Sequence, residues 1–139
     1  AVINERKGSV SILENNKTML IYGFHQEDRK IIDDLIKTNN LPGYILVEKG
    51  MVNMTIADIL KGLNLQVFNN LDIPEDKVIL FNNFSDKELD KAISVLKKGF
   101  TELPILAVVT PTSIEWTFKN LIEHLIEERE WYKNQKMNR

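Results

Sequence analysis

The residues of this chain best equipped for chemistry stand in two short stretches, each directly after an apolar run. Tyr22-Gly23-Phe24-His25 follows Met19-Leu20-Ile21, and Asn82-Asn83-Phe84-Ser85 follows Val78-Ile79-Leu80-Phe81. In open sheets of parallel strands, ligands sit beyond the carboxyl ends of the strands, where the strand order reverses. Helices that begin there offer free N–H groups to an anion or a carbonyl. Tyr22, Gly23, His25, Asn82, Asn83 and Ser85 are therefore the candidate ligand-binding residues, joined at the same edge by Lys49, Thr110, Thr112 and Ser113. A histidine at a helix N-terminus has its charged form disfavoured by the dipole, which suits a neutral acid or base. His25 has no evident acidic partner, however, and a solvated loop histidine is the plainer reading. Asn82, Asn83 and Ser85 are likewise good turn and cap residues without any ligand. His124 lies among acidic residues and reads as surface.

The parts of the common catalytic sets are missing. The chain has no cysteine and two histidines, so it has no thiolate nucleophile, and a zinc site would need carboxylates as well, with the two histidines on different elements. The turn after the first apolar run has one glycine where a dinucleotide site needs three. Asn82-Asn83 stands where a phospho-receiver domain carries an aspartate. No Gly-x-Ser-x-Gly elbow occurs. No catalytic residue, metal or cofactor is assigned.

The elements that must position these residues alternate in kind. Thr18–Tyr22 is short, apolar and β-compatible. Gln26 to Thr38 places Ile31, Ile32, Leu35 and Ile36 at helical spacing. Tyr44–Val47 is a second strand, and a short helix from about Asn53 to Lys61 stops at Gly62. Lys77–Phe81 opens the second half. Ser85-Asp86-Lys87-Glu88 has the Ser-x-x-Glu spacing of a capping box, and the helix it starts runs to Lys98 before Gly99. Pro104–Val109 is the fourth strand. Thr112-Ser113-Ile114-Glu115 offers another capping box for a last helix that buries Ile114, Phe118, Leu121, Ile122, Leu125 and Ile126, carries Trp116 and Trp131, and frays after Tyr132. Paired asparagines, Asn39-Asn40 and Asn82-Asn83 among them, fall where turns are expected.

Residues 18–60 and 78–122 read as two copies of one unit. Thr18–Phe24 lies over Val78–Phe84. With two residues inserted in the second copy, Ile45-Leu46-Val47 meets Ala107-Val108-Val109, and Met54 meets Trp116. The expected architecture is a single α/β domain, a small three-layer sandwich around a four-stranded, mainly parallel sheet of order 2-1-3-4. Relating the halves by a twofold axis along the strands makes all four strands parallel, puts the crossover helices on opposite faces, and brings Gly23 and Asn83 to one cleft. Val10–Leu13 could add an antiparallel N-terminal strand. The connector 62–76 is too apolar for a solvated linker, so it either covers the sheet or meets a partner.

With 139 residues, 43% apolar and 27% charged, the chain suits one domain with a true core. A net charge of −2 gives no case for nucleic acid binding. No apolar run approaches bilayer length, the start is polar, and cysteine is absent, so a cytoplasmic protein off the membrane is expected.

In the second half Val78-Ile79-Leu80-Phe81 is followed by Phe84-Ser85-Asp86, then by Leu103-Pro104-Ile105-Leu106-Ala107-Val108-Val109-Thr110-Pro111-Thr112-Ser113, with Trp116 and the acidic end Glu123–Glu130 beyond. On these residues it resembles a family of bacterial proteins catalogued only as a domain of unknown function. The resemblance spans roughly residues 77–130 and implies no reaction; it makes Thr110 and Trp116 residues of interest. In the first half Glu48 stands for Thr110 and Met54 for Trp116. The leading expectation is a non-enzymatic binding or regulatory module for a protein partner or small ligand, with a homodimer or partner surface at Val67, Phe68, Trp131 and Tyr132. The alternative is a small enzyme whose site lies at the carboxyl ends of the first and third strands.

Overall fold

The computed structural model describes residues 17–67 and 72–137. The elements are β1 (Thr18–Tyr22), α1 (Gln26–Asn39), β2 (Tyr44–Val47), α2 (Ile56–Leu60), β3 (Val78–Asn82), α3 (Asp86–Gly99), β4 (Ile105–Val108) and α4 (Phe118–Met137), with short 3-10 turns at Lys49–Met51 and Ser113–Glu115. The strands form one open sheet of order β2-β1-β3-β4. The N-terminal strand expected at Val10–Leu13 and the partner residue Phe68 lie outside the described residues.

The sheet is mostly parallel, with one antiparallel pair at its centre. β1 runs parallel to β2 and β3 parallel to β4, but β1 and β3 are antiparallel, with Thr18 opposite Asn82, Leu20 opposite Leu80 and Tyr22 opposite Val78. This corrects the expected relation between the halves. The local twofold axis passes through the sheet at the Leu20–Leu80 pair rather than along the strands. Each half is still a β-α-β unit, but an axis that crosses the sheet leaves both crossover helices on the same side. Accordingly Met19, Ile21, Ile79 and Phe81 pack with Ile32 of α1 and Ala92 and Leu96 of α3. Leu20, Tyr22, Val78 and Leu80 pack on the other face with Ile56 and Ile59 of α2 and Phe118 and Ile122 of α4. Central strands buried on both faces explain why β1 and β3 lack polar alternation.

Local chemistry sets most boundaries. Ser85 caps α3 as a reciprocal box: its Oγ accepts from the Glu88 N–H at 3.2 Å, and the Glu88 carboxylate accepts from the Ser85 N–H at 2.9 Å. Thr55 caps α2, accepting from the Asp58 N–H at 3.1 Å. The last helix departs from expectation. Thr112 makes no side-chain cap; it opens a 3-10 turn, so Ile114 and Trp116 precede α4 rather than belong to it. Thr117 takes over, its hydroxyl accepting from the Asn120 N–H at 3.1 Å. The helix then continues past Tyr132 to Met137. One anchor for its far half is Arg129, whose guanidinium reaches the Asp76 carboxylate at 2.6 Å.

Candidate functional site

The antiparallel centre divides the expected cleft into two. Tyr22 ends β1 opposite the first residue of β3, and Asn82 ends β3 opposite the first residue of β1. The two strand ends are thus four residues apart, about 13 Å at 3.3 Å per residue. A single site shared by the carboxyl ends of the first and third strands, on which the small-enzyme alternative rested, is not formed.

The first cleft, of about 360 Å³, lies at the carboxyl ends of β1 and β2. It gathers Tyr22, Gly23 and His25 with Phe24, Arg29, Leu46, Val47, Glu48 and Lys49, and with Glu75 and Lys77 from the approach to β3. Its floor is fixed by the backbone. Gly23 has φ of +84°, and a Cβ there would lie 2.7 Å from the Asp76 carbonyl oxygen, so this tight approach requires glycine. The buried Tyr22 ring lies 5.4 Å from the Phe118 ring, and its hydroxyl donates to the Pro74 carbonyl at 2.6 Å. Burial, reinforced by the negative charges of Glu75 and Asp76, pushes the Tyr22 pKa up. Tyr22 therefore enters the cleft as a neutral phenol already engaged by the backbone, and is a wall rather than a base.

His25 occupies the N-cap of α1 in extended conformation but makes no side-chain cap bond, and it is exposed. One turn on, Arg29 lines the same cleft, and its Nε is buried without a hydrogen-bond partner among the described residues. The other charges are engaged. Lys49 meets Glu75 at 3.4 Å and Lys77 meets Asp28 at 2.8 Å. The Glu48 carboxylate accepts from the Gln66 amide.

A second cleft, of about 510 Å³, lies at the opposite edge and holds Asn82, Asn83 and Thr110 with Val109, Pro111 and Glu115. Asn83 takes the place of Gly23 and shares its left-handed backbone, with φ of 62°. Thr110 and Ser113 satisfy each other. The Thr110 N–H donates to Ser113 Oγ, the Ser113 N–H donates to Thr110 Oγ1, and the two hydroxyls stand 3.0 Å apart. This box shapes the turn after β4. A shallow groove of about 220 Å³ beside β4 contains Thr110, Thr112 and Ser113 together with Trp116 and His124. The Trp116 and His124 rings meet edge to face at 5.5 Å, and His124 also bonds Glu128 at 3.0 Å. Ser85 belongs to the capping of α3.

The structure thus brings Tyr22, Gly23 and His25 together, and separately Asn82, Asn83 and Thr110. Sequence reasoning missed Arg29, Glu75 and Lys77. Arg29 was within reach of it, because it lies four residues after His25 and so on the same helix face. Glu75 and Lys77 were not, because they enter only through the reversed sense of β3. Among the described residues no group of three His, Asp or Glu side chains converges as a metal site, and no helix is long and apolar enough to cross a membrane.

Residues 77–132 match a family described as a domain of unknown function, DUF3783. The matched segment holds β3, α3, β4 and most of α4, and therefore the lining of the second cleft apart from Ala57, while α1 and β2 of the first cleft lie outside it. No curated protein and no solved structure matches the chain.

Proposed function

We propose that the protein is a non-enzymatic binding module whose small ligand seats in the first cleft. The observation that carries this reading is the convergence of Tyr22, Gly23, His25, Arg29 and Lys49 on one concavity of about 360 Å³, within the usual size of small-molecule sites. Its place beyond the carboxyl ends of two parallel strands supports the same reading. Thermal-shift screening against common metabolites tests it. A hit that raises the melting temperature, and loses that effect when Lys49 and Arg29 are both replaced by Ala, supports the reading. A screen without hits, or a hit indifferent to that double variant, removes it.

A protein partner or second copy is the other reading, favoured by one observation. Val67, Trp131 and Tyr132 are 53%, 57% and 63% exposed, and large aromatics in that state are enriched at interfaces. Sedimentation at several concentrations tests it, and a monomer throughout removes the homodimer. A cytoplasmic setting belongs to the same proposal, supported by the absence of cysteine. So does descent of the halves from one duplicated unit, supported by their strand registers: Met19 pairs with Tyr44, and its counterpart Ile79 pairs with Leu106.

A further inference from the structure

Building on the reading of the first cleft as the ligand site, we infer that the ligand carries an oxyanion, a carboxylate or phosphate, that pairs with the Arg29 guanidinium. The cleft is lined by three cations, Arg29, Lys49 and Lys77, and two carboxylates, Glu48 and Glu75, and the Asp28 carboxylate pairs with Lys77. Lys49 and Lys77 are each ion-paired, and the Glu48 carboxylate keeps its charge but is held by the Gln66 amide rather than by Arg29. Arg29 has no ion pair among the described residues. Asp33, the carboxylate one turn along, is engaged by the Tyr44 hydroxyl at 2.7 Å. An unpaired guanidinium with its Nε already out of water attracts an anion more strongly than a fully solvated cation does. Its planar fork matches two oxygens of one carboxylate or phosphate. Phe24, Leu46 and Val47 supply apolar wall for a carbon body beside it.

The second cleft is a built-in comparison. Arg29 is the fourth residue of the 14-residue α1, and Leu89 is the fourth residue of the 14-residue α3. Where the first half has Lys49, the second has Pro111. The same backbone plan therefore occurs once with cations and once without them, and the anion belongs to the first cleft only.

The test is a nitrogen-15 NMR titration of the full chain with three probes of one shape: benzoate, phenyl phosphate and the uncharged benzamide. The expected result is saturable shifts of the Gly23, Phe24 and Lys49 amides with one or both anions, and none with benzamide. Which anion binds separates a carboxylate ligand from a phosphate. Arg29→Leu, which copies the second half, should weaken that binding about tenfold or more, and Arg29→Lys should weaken it less. Benzamide binding as tightly as the anions at these amides, or anion shifts centred on Asn83 and Thr110, overturns the oxyanion while leaving a cleft ligand possible. Silence of the cleft amides toward all three probes, with the spectrum of a folded protein, overturns the oxyanion and counts against the cleft as well.

Discussion

Thr55 and Thr117 face each other across an isolated antiparallel bridge that joins the two halves on the α2–α4 face of the sheet. The Ile56 N–H donates to the Trp116 carbonyl and the Phe118 N–H donates to the Met54 carbonyl, each at 2.9 Å. The bonds are mirrored counterparts, since Met54 aligns with Trp116 and Ile56 with Phe118. Each threonine also caps the helix that follows it. The bridge and the Leu20–Leu80 pair therefore mark the axis about which the molecule is organised.

That reciprocity predicts shared protection. The Ile56 and Phe118 amides should exchange hydrogen slowly and with similar opening free energies, close to that of global unfolding, because neither bond can open without separating the halves. Native-state hydrogen exchange followed by NMR checks this. Exchange of either amide at loop-like rates would show that α2 and α4 open independently.

Gly23→Ala should destabilise the protein by about 1–3 kcal/mol, because a left-handed residue gains a Cβ against the Asp76 carbonyl. Gly43→Ala should be neutral to slightly stabilising, since nothing lies within 4 Å of its added methyl. Urea unfolding of both variants checks the contrast, and equal midpoints would contradict the close approach at the cleft floor.

The two crossover helices should respond oppositely at their N-caps. Ser85→Ala removes an observed cap and should cost about 1 kcal/mol. His25→Ser supplies a cap that α1 lacks and should add up to about 1 kcal/mol. Thermal unfolding of the two variants is the check. A loss on His25→Ser would mean that the imidazole contributes to stability in a way its exposed position does not show.

Acid titration should single out Glu88. Its carboxyl is held down to about 2, from an ordinary 4.5, first by the Ser85 backbone N–H and then by Lys17 and the Ser85 side chain. A depressed carboxylate stabilises the folded state fully above the unfolded value and loses that contribution as pH falls toward the folded one. The stability gap between the native protein and Glu88→Gln should therefore be constant at neutral pH and close between about pH 4.5 and 2. Carbon-13 detection of the Glu88 carboxyl gives the midpoint directly, and a midpoint near 4.5 would show that the capping box is not maintained in solution.

Signals carried by neighbouring residues were readable in the chain. The Ser85–Glu88 box, the helical spacing of Ile32, Leu35 and Ile36, and the unbroken apolar run Val78–Phe81 each specify an element through contacts a few residues apart, and each is present. Paired asparagines read as turns proved to include left-handed residues at Asn40 and Asn83. The threonine caps were harder to place. Thr112 and Thr117 both precede apolar residues, and local spacing cannot decide between them. The choice follows from the bridge to Thr55, which fixes where α4 must begin.

The chain by itself determined the α/β class, the four strands and the two sets of residues at strand ends, because hydrophobic periodicity and cap chemistry are local; the strand order came from reading the halves as copies whose first strands are neighbours. The sense of β3 relative to β1 was decided only in three dimensions. Both strands are apolar on both faces, so either direction buries the same side chains, and no nearby residue distinguishes parallel from antiparallel pairing. That one long-range choice moved Asn82 and Asn83 to the far edge and brought Glu75 and Lys77 to the cleft of Tyr22, His25 and Arg29.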